Sequence, residues 1–526
     1  MVRSAPGSAS LKADLLLTNA NVVTVDGPDV TSVAILGDRI VALADVPARQ
    51  VIDLDGATVT PGFHDAHNHM AWYGLTLSEV DVRVDSLDAL YDAIAAAPDG
   101  EWIIASGYDQ NKCGGHPTRD GLDRAGRGRK VLVKHTSGHM CVVNSPVLRE
   151  LGLAEHAVEV DGGLVVADSA GRPTGLLQET AQQLVNPLIL PYPVDSLAGA
   201  IDRAGQRYLR EGITSCTEAG IGGGWIGKSP VELEAYHRAR EQGKLHVRVE
   251  LMVASDVLHP VTELGVGLDL GIRTGFGDDW LSIGPVKVFA DGSLIGHTAA
   301  MYHDFSDSPG ERGYLQADPE ALTATILDAH KAGWRVATHA IGDAAIDLVL
   351  DAYEAAGDPT RRHRIEHFGV ARPDQVRRAA ELGVIPVPQG RFANEIGDGM
   401  LSALGPERSR WAYRQRSLLD AGIVVPGSSD RPVVTGAPLL GMHDMVNQQT
   451  ASGVPFNPAE AVTGLDALRA FTYGSAYASG QEHRKGTITV GKLADLVVLS
   501  DNPATVEPGR IKDIEVLRTM VGGVFR

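Results

Sequence analysis

The sequence predicts an α/β chain built on a parallel (β/α)8 barrel, and three observations carry that expectation. Short apolar runs recur along the chain, several of them end in a polar residue able to bind a metal, and helical stretches separate several of them. Eight runs suit barrel strands: 58–69, 213–219, 247–255, 283–290, 335–340, 363–368, 384–388 and 423–429. In such a barrel the residues at the C-terminal ends of the strands gather at one mouth.

The first run closes in HisAspAlaHisAsnHis, and two imidazoles two residues apart on a strand, His67 and His69, point the same way. With 18 histidines in 526 residues, chance alone gives about 0.6 such pairs per chain, so the pair gains its weight from residues further along the chain. Later runs carry Lys287 in ProValLysValPheAlaAspGly, His339 in ValAlaThrHisAlaIleGlyAsp, His367 in ArgIleGluHisPhe and Asp430 in ValValProGlySerSerAsp. A lone strand histidine is more often a satisfied core residue than a ligand. As a set, imidazole nitrogens and a carboxylate suit Zn²⁺, with Mn²⁺, Fe²⁺, Co²⁺ and Ni²⁺ open. Lys287 stands between two valines, where an unpaired ammonium is costly to bury. Asp291 is the nearest candidate for a salt bridge to it. Asp430 has its own structural reading, as the cap of a following turn or helix.

With these motifs in this order, the chain from about Leu15 onward resembles the amidohydrolase superfamily, metal-dependent hydrolases on a TIM barrel. ValLysValPheAlaAspGlySer, HisAlaIleGlyAsp and GlyLysLeuAlaAspLeuValValLeu are similar to its family 3, or YtcJ-like, branch, which contains the N-substituted formamide deformylases. The resemblance implies that His67, His69, Lys287, His339, His367 and Asp430 bind two divalent ions per subunit, most simply Zn²⁺. It also implies that the Lys287 amine has reacted with CO₂ to form a bridging carbamate, which would turn a repelling cation into an anionic ligand. Asp430 would take the proton of a metal-activated hydroxide and pass it to the departing amine. Arg431 stands where the branch usually has Trp, which leaves the metal ligands intact and casts doubt on the usual substrate pocket.

The stretch 14–60 is short strands broken by turns, and a matching pattern returns at the far end. The resemblance implies that both ends join in one discontinuous β-sandwich, 11–62 with 484–526, around a barrel of 63–71 and 194–483. Residues 72–193 are too many for a strand-to-helix loop and carry strands of their own, so they form an inserted α/β domain after barrel strand 1, which in this branch caps the mouth. The glycine-rich stretch from Gly220 lacks the Lys-Ser/Thr of a phosphate loop and is expected to be a mobile loop over the site. The first ten residues, small and polar, are expected to be poorly ordered.

Lys plus Arg is 47 against 66 Asp plus Glu, a formal charge of −19, which disfavours nucleic acid or an anionic membrane and favours a small-molecule substrate. The three cysteines, widely spaced, indicate buried free thiols rather than a disulfide framework or zinc ribbon. No apolar segment reads as a signal peptide or membrane span, so a cytoplasmic location is expected, with a homodimer as the expected assembly.

The expected reaction is hydrolysis of a non-peptide carbon–nitrogen bond of amide type, such as an N-formyl or N-acyl bond. A mononuclear deaminase or a cyclic-amide or lactone hydrolase of the same superfamily is the alternative, which Lys287 argues against. A barrel that has lost catalysis and acts as a binding protein is disfavoured because all six ligand positions are filled. Among further candidates, His139 in the insertion could reach over the mouth to stabilise an oxyanion. Glu366 and Asp343 could orient imidazoles. Asp291, Asp343, Arg391 and Asn394 are the expected substrate contacts.

Overall fold

Seven strands run parallel, each paired with the next in chain order: Phe63–Asn68, Ile213–Ile221, Arg248–Ala254, Leu281–Phe289, Val336–Ala340, Arg364–His367 and Ile385–Val387. They belong to a computed structural model that describes residues 12–223 and 226–526. The expectation for the first ten residues therefore lies outside the described residues, as does the part of the glycine-rich loop formed by Gly224 and Trp225. Ile213–Ile221 and Arg248–Ala254 are buried at every position, as strands covered on both faces must be. Helices including Val194–Arg210 and Asp343–Ala356 lie outside the sheet; the first buries Leu197, Ile201, Ala204 and Tyr208, one stripe at helical spacing, in the core shared with the strands.

The first expected strand, 58–69, is two strands. Thr58–Pro61 pairs antiparallel with Leu496–Leu499, and the chain enters the barrel only at Phe63. Gly62 makes the crossing at a point where a Cβ would lie 2.2 Å from Thr214 Oγ1. His69 is therefore not a strand residue but the N-cap of the helix Met70–Thr76.

The eighth expected strand, 423–429, forms no ladder. Pro386, Pro388 and Pro426 have no N–H to give, so regular pairing between the last two segments fails. Closure is made piecemeal. Ala66 N donates to Gly427 O at 2.9 Å and Asp430 N to His67 O at 2.7 Å. On the other side Ser428 Oγ donates to Pro388 O and Gln389 Nε2 to Ser428 Oγ, both at 3.1 Å.

Two further sheets hold the termini. One has four strands, in the order Arg39–Ala42, Val33–Leu36, Ala13–Thr18, Ala48–Asp53. The other joins Asn21–Val22 and Thr58–Pro61 to Leu496–Leu499, Val516–Val521 and Val524–Phe525. Leu17, Ile35, Val59, Leu496 and Met520 pack together between them. Residues 72–193 carry a six-stranded mixed sheet of their own, with Trp102–Tyr108, Lys130–His135 and Met140–Val143 among its strands. The three cysteines are buried and free. Among the described residues no helix is long and apolar enough to cross a membrane.

Candidate metal centre

His67, His69, Lys287, His339, His367 and Asp430 line one cavity, together with His139 from the insertion. All seven are at least nine-tenths buried. The centre of the group is Asp430, whose Oδ1 lies 3.2 Å from Nε2 of both His67 and His69. The rings of His67 and His367 are 5.0 Å apart and those of His367 and His339 4.5 Å. His67, His367 and Asp430 each offer a ligand atom, all within 4.8 Å of one another.

Each imidazole has one nitrogen committed. His67 Nδ1 donates to Glu366 Oε2, whose carboxylate is also gripped by Arg364 through bonds of 2.7 and 2.8 Å. His367 Nδ1 donates to Gln389 Oε1 at 2.8 Å and His339 Nε2 to Gly292 O at 3.0 Å. His69 Nδ1 faces Glu218 Oε1 at 3.7 Å. This is how metal-binding histidines are oriented, with the second nitrogen left for the ion. His67 Nε2 is that second nitrogen; among the described residues this buried atom makes no well-aligned hydrogen bond, with only Asp430 Oδ1 near it at 3.2 Å. Nitrogen and carboxylate donors of this kind, one of them without an aligned hydrogen bond, fit a divalent ion.

Burial opposes charge on Glu366, but Arg364 and then His67 hold its carboxyl well below the usual range. Asp430 is likewise kept ionised against burial by His67 and His69. Lys287 is 1 % exposed, and among the described residues its Nζ forms no ion pair; it lies 4.6 Å from the Phe289 ring centre. Burial pushes its amine down to about 8. A neutral amine is the form that can react with CO₂. His367 and Asp430 have φ of 70° and 58°, sparsely populated conformations that side chains with a Cβ adopt only where the surroundings force them.

A family model described as "Amidohydrolase family" matches residues 50–526. The chain belongs to the amidohydrolase family. With that membership it is a metal-dependent hydrolase. It is 31 % identical to the N-substituted formamide deformylase of Arthrobacter pascens over 98 % of each chain. It is also 31 % identical to Protein LONG AFTER FAR-RED 3 of Arabidopsis thaliana, over 99 % of this chain and 93 % of that one. A crystal structure of an uncharacterized metal-dependent hydrolase from Pyrococcus horikoshii OT3 superposes with a TM-score of 0.76 at 28 % identity, covering 94 % of this chain and 99 % of that one.

In this amidohydrolase four expected substrate contacts are not in the cavity wall. Asp291 is fully buried and accepts backbone N–H bonds from Ala300, Ile341 and Gly342 at 2.7 to 3.0 Å; it organises loops at the mouth and is not the partner of Lys287. Asp343 opens the helix Asp343–Ala356, accepts from Tyr302 N at 3.0 Å and reaches no imidazole of the centre. Arg391 is held by Asp444 at 2.6 Å and by Asn394 at 3.0 Å, while Asn394 Nδ2 donates to Gln449 O. Arg431 also turns away. It binds Glu211 at 2.6 Å over the Tyr73 ring and does not line the cavity.

Sequence reasoning missed Glu218, Gln389 and Glu179. Glu218 lies in the C-terminal half of the second strand, towards the end at which a barrel places functional groups, and that was its available signal. Gln389 stands alone after a proline-broken strand, and Glu179 lies in the insertion, where it binds His139 Nδ1 at 2.7 Å.

Proposed function

We propose that this amidohydrolase cleaves a non-peptide carbon–nitrogen bond of amide type, with N-formyl or N-acyl amines as the substrate class. The observation that carries the reading is the set of histidines with one nitrogen committed around an ionised Asp430, with His67 Nε2 left without a well-aligned hydrogen bond. Zn²⁺ would suit the donors, and a carbamate on Lys287 would add an anionic ligand to them, which would give that buried amine a role. A divalent ion held there lowers the pKa of water from 15.7 towards about 7 and polarises a carbonyl.

The chain supplies the rest. Asp430 accepts the proton of the attacking water and returns it to the departing nitrogen, because an amine anion is too poor a leaving group to depart unprotonated. His139 faces the centre from the insertion, its ring 5.4 Å from that of His339. Burial works against a charge on that ring, yet Glu179 holds its proton affinity above the ordinary histidine value. It is thereby a donor to the oxyanion that develops on the carbonyl. In the same reading 72–193 is a cap, and it contributes Leu132, Lys134 and Met140 as well as His139 to the cavity. The cavity measures about 1020 Å³ counting the space open at its mouth, room for a small molecule rather than a folded polymer.

The test is a hydrolysis screen over N-formyl amines, N-acyl amino acids, ureas, cyclic imides and lactones, with metal content measured in parallel. Amide turnover, together with loss of most activity and at least one metal equivalent in Lys287→Ala, is the expected result. Turnover confined to the lactones or imides would replace the amide assignment. A Lys287→Ala protein with full activity and full metal content would remove the bridge.

A further inference from the structure

Away from the metal centre the cavity is walled mostly by apolar groups, Trp72, Leu132, Met140, Ile189 and Ile226 among them. Among its polar lining groups, which include Gln182, Gln183 and Asn186, two are lysines. Lys134 is already paired, its Nζ 2.5 Å from Glu79 Oε1. Lys228 is not. Its backbone is engaged at both ends, N donating to Glu232 Oε2 at 2.8 Å and O accepting from Tyr192 N at 3.0 Å. Its ammonium makes neither an ion pair nor a hydrogen bond among the described residues and rests 5.4 Å from the Trp72 ring centre. Tyr192 adds a second polar group: its hydroxyl is buried, has only the Lys134 ammonium near it, and among the described residues makes no hydrogen bond of 3.5 Å or less.

A half-buried ammonium with no direct anionic partner, in the same mostly apolar cavity wall as a hydroxyl that makes no hydrogen bond, is costly unless a ligand brings the missing partner. Trp72 links the two ends of the cavity, since its ring also neighbours the His69 ring at 5.5 Å. Glu232, Glu218 and Glu79 act on the Lys228 ammonium from a distance without pairing with it; one ammonium free of a direct ion pair matches a monoanion, and a dianionic phosphate would be repelled by those carboxylates.

We infer that Lys228 and Tyr192 form a subsite for a carboxylate on the substrate, so that the compound hydrolysed is an N-formyl or N-acyl amine whose apolar chain runs along Trp72 to a terminal carboxylate. The inference rests on the amide reading for the reaction, and on the cavity alone for the carboxylate. Water adds across the amide, the carbon–nitrogen bond breaks, and the anchored half keeps its carboxylate unchanged throughout.

Two measurements on the metal-loaded protein test it. The first compares N-formyl-6-aminohexanoate with N-formylhexylamine. Wild type is expected to favour the carboxylate by about tenfold or more in kcat/KM, mostly through KM, and Lys228→Met to bring the ratio within about threefold of unity. The second needs no turnover: hexanoate, but not hexanamide, raises the melting temperature of wild type, and Lys228→Met loses that rise. Tyr192→Phe, a milder change, weakens both effects and covers the case in which Lys228→Met does not fold. Equal use of the two formamides by wild type, or a preference that survives in both variants, overturns the subsite and leaves the amide reading standing. Hexanoate stabilisation lost in the variants, with no amide hydrolysed, supports the subsite and overturns the amide reading.

Discussion

A carboxylate behind an imidazole does two jobs, and Glu366 is where they can be separated. It holds His67 Nδ1, and it neutralises Arg364, which is 0 % exposed. Glu366→Gln keeps the shape and removes the charge. Metal affinity is expected to fall by about 10- to 100-fold, as for other partners standing behind metal-binding histidines. The fold is expected to lose about 3–5 kcal/mol, because a buried guanidinium is left unpaired. Metal titration and denaturant melts read the two separately, and a variant that loses neither would reduce Glu366 to a spectator. Asp430→Asn tests the proton path instead. A loss of about 10²- to 10⁴-fold in kcat is expected, measured at saturating metal so that weakened binding does not enter. The residues at this scale divide by how they announce themselves in sequence. His67 and His69 form a His-x-His pair, and His367 ends a short strand run, patterns that spacing can mark. Glu218, Gln389 and Glu179 are single polar residues whose meaning comes only from the side chain they face, and no spacing encodes that.

At the scale of elements, the placing of His69 and Trp72 depends on one short helix. Met70–Thr76 lies so close to Val194–Arg210 that a Cβ at Gly74 would stand 1.9 Å from Ala200 O. Gly74→Ala is expected to push the helices apart at a cost of about 1–3 kcal/mol, and to weaken metal binding because His69 caps the displaced helix. An unchanged melt would mean that the contact relaxes freely. Apolar runs were enough to locate the six strands from Ile213 to Val387, because strands buried on both faces carry mostly apolar and small residues. The eighth was located but misjudged as a strand: ValValPro in 424–426 has the composition of one, yet proline removes the donors that a ladder needs. The run 58–69 failed differently. Period-two patterning has no mark for a chain that leaves one sheet and enters another, and only Gly62, pressed against Thr214, records the change.

For the whole molecule, the terminal sheets and the barrel are joined by the bidentate pair of Arg248 and Asp495, at 2.7 and 3.1 Å with both side chains buried. The two residues are 247 positions apart, a separation at which no local pattern marks Asp495 as a tie between the sheets. Stability against acid is set by another long-range feature, histidines that the fold keeps neutral. His363 is the cleanest because it lies outside the metal centre. Burial, then His330 and Arg335, pushes it from 6.5 down to about 3. Its Nδ1 accepts from Val336 N at 3.0 Å, and its Nε2 meets His330 Nδ1 at 2.9 Å. The folded value is below the unfolded one, so between about pH 6.5 and 3 the unfolded chain binds the extra proton and stability falls as pH falls, by at most about 1.4 kcal/mol per pH unit for this group. The contribution is fully present above pH 6.5. His363→Gln cannot take that proton. The variant should therefore be less stable than wild type at pH 7.5, through the lost ring packing on Tyr353, and the gap should narrow steadily towards pH 4 in melts of the two proteins. A gap of constant size across that range would mean that His363 titrates in the folded protein much as it does in the unfolded chain.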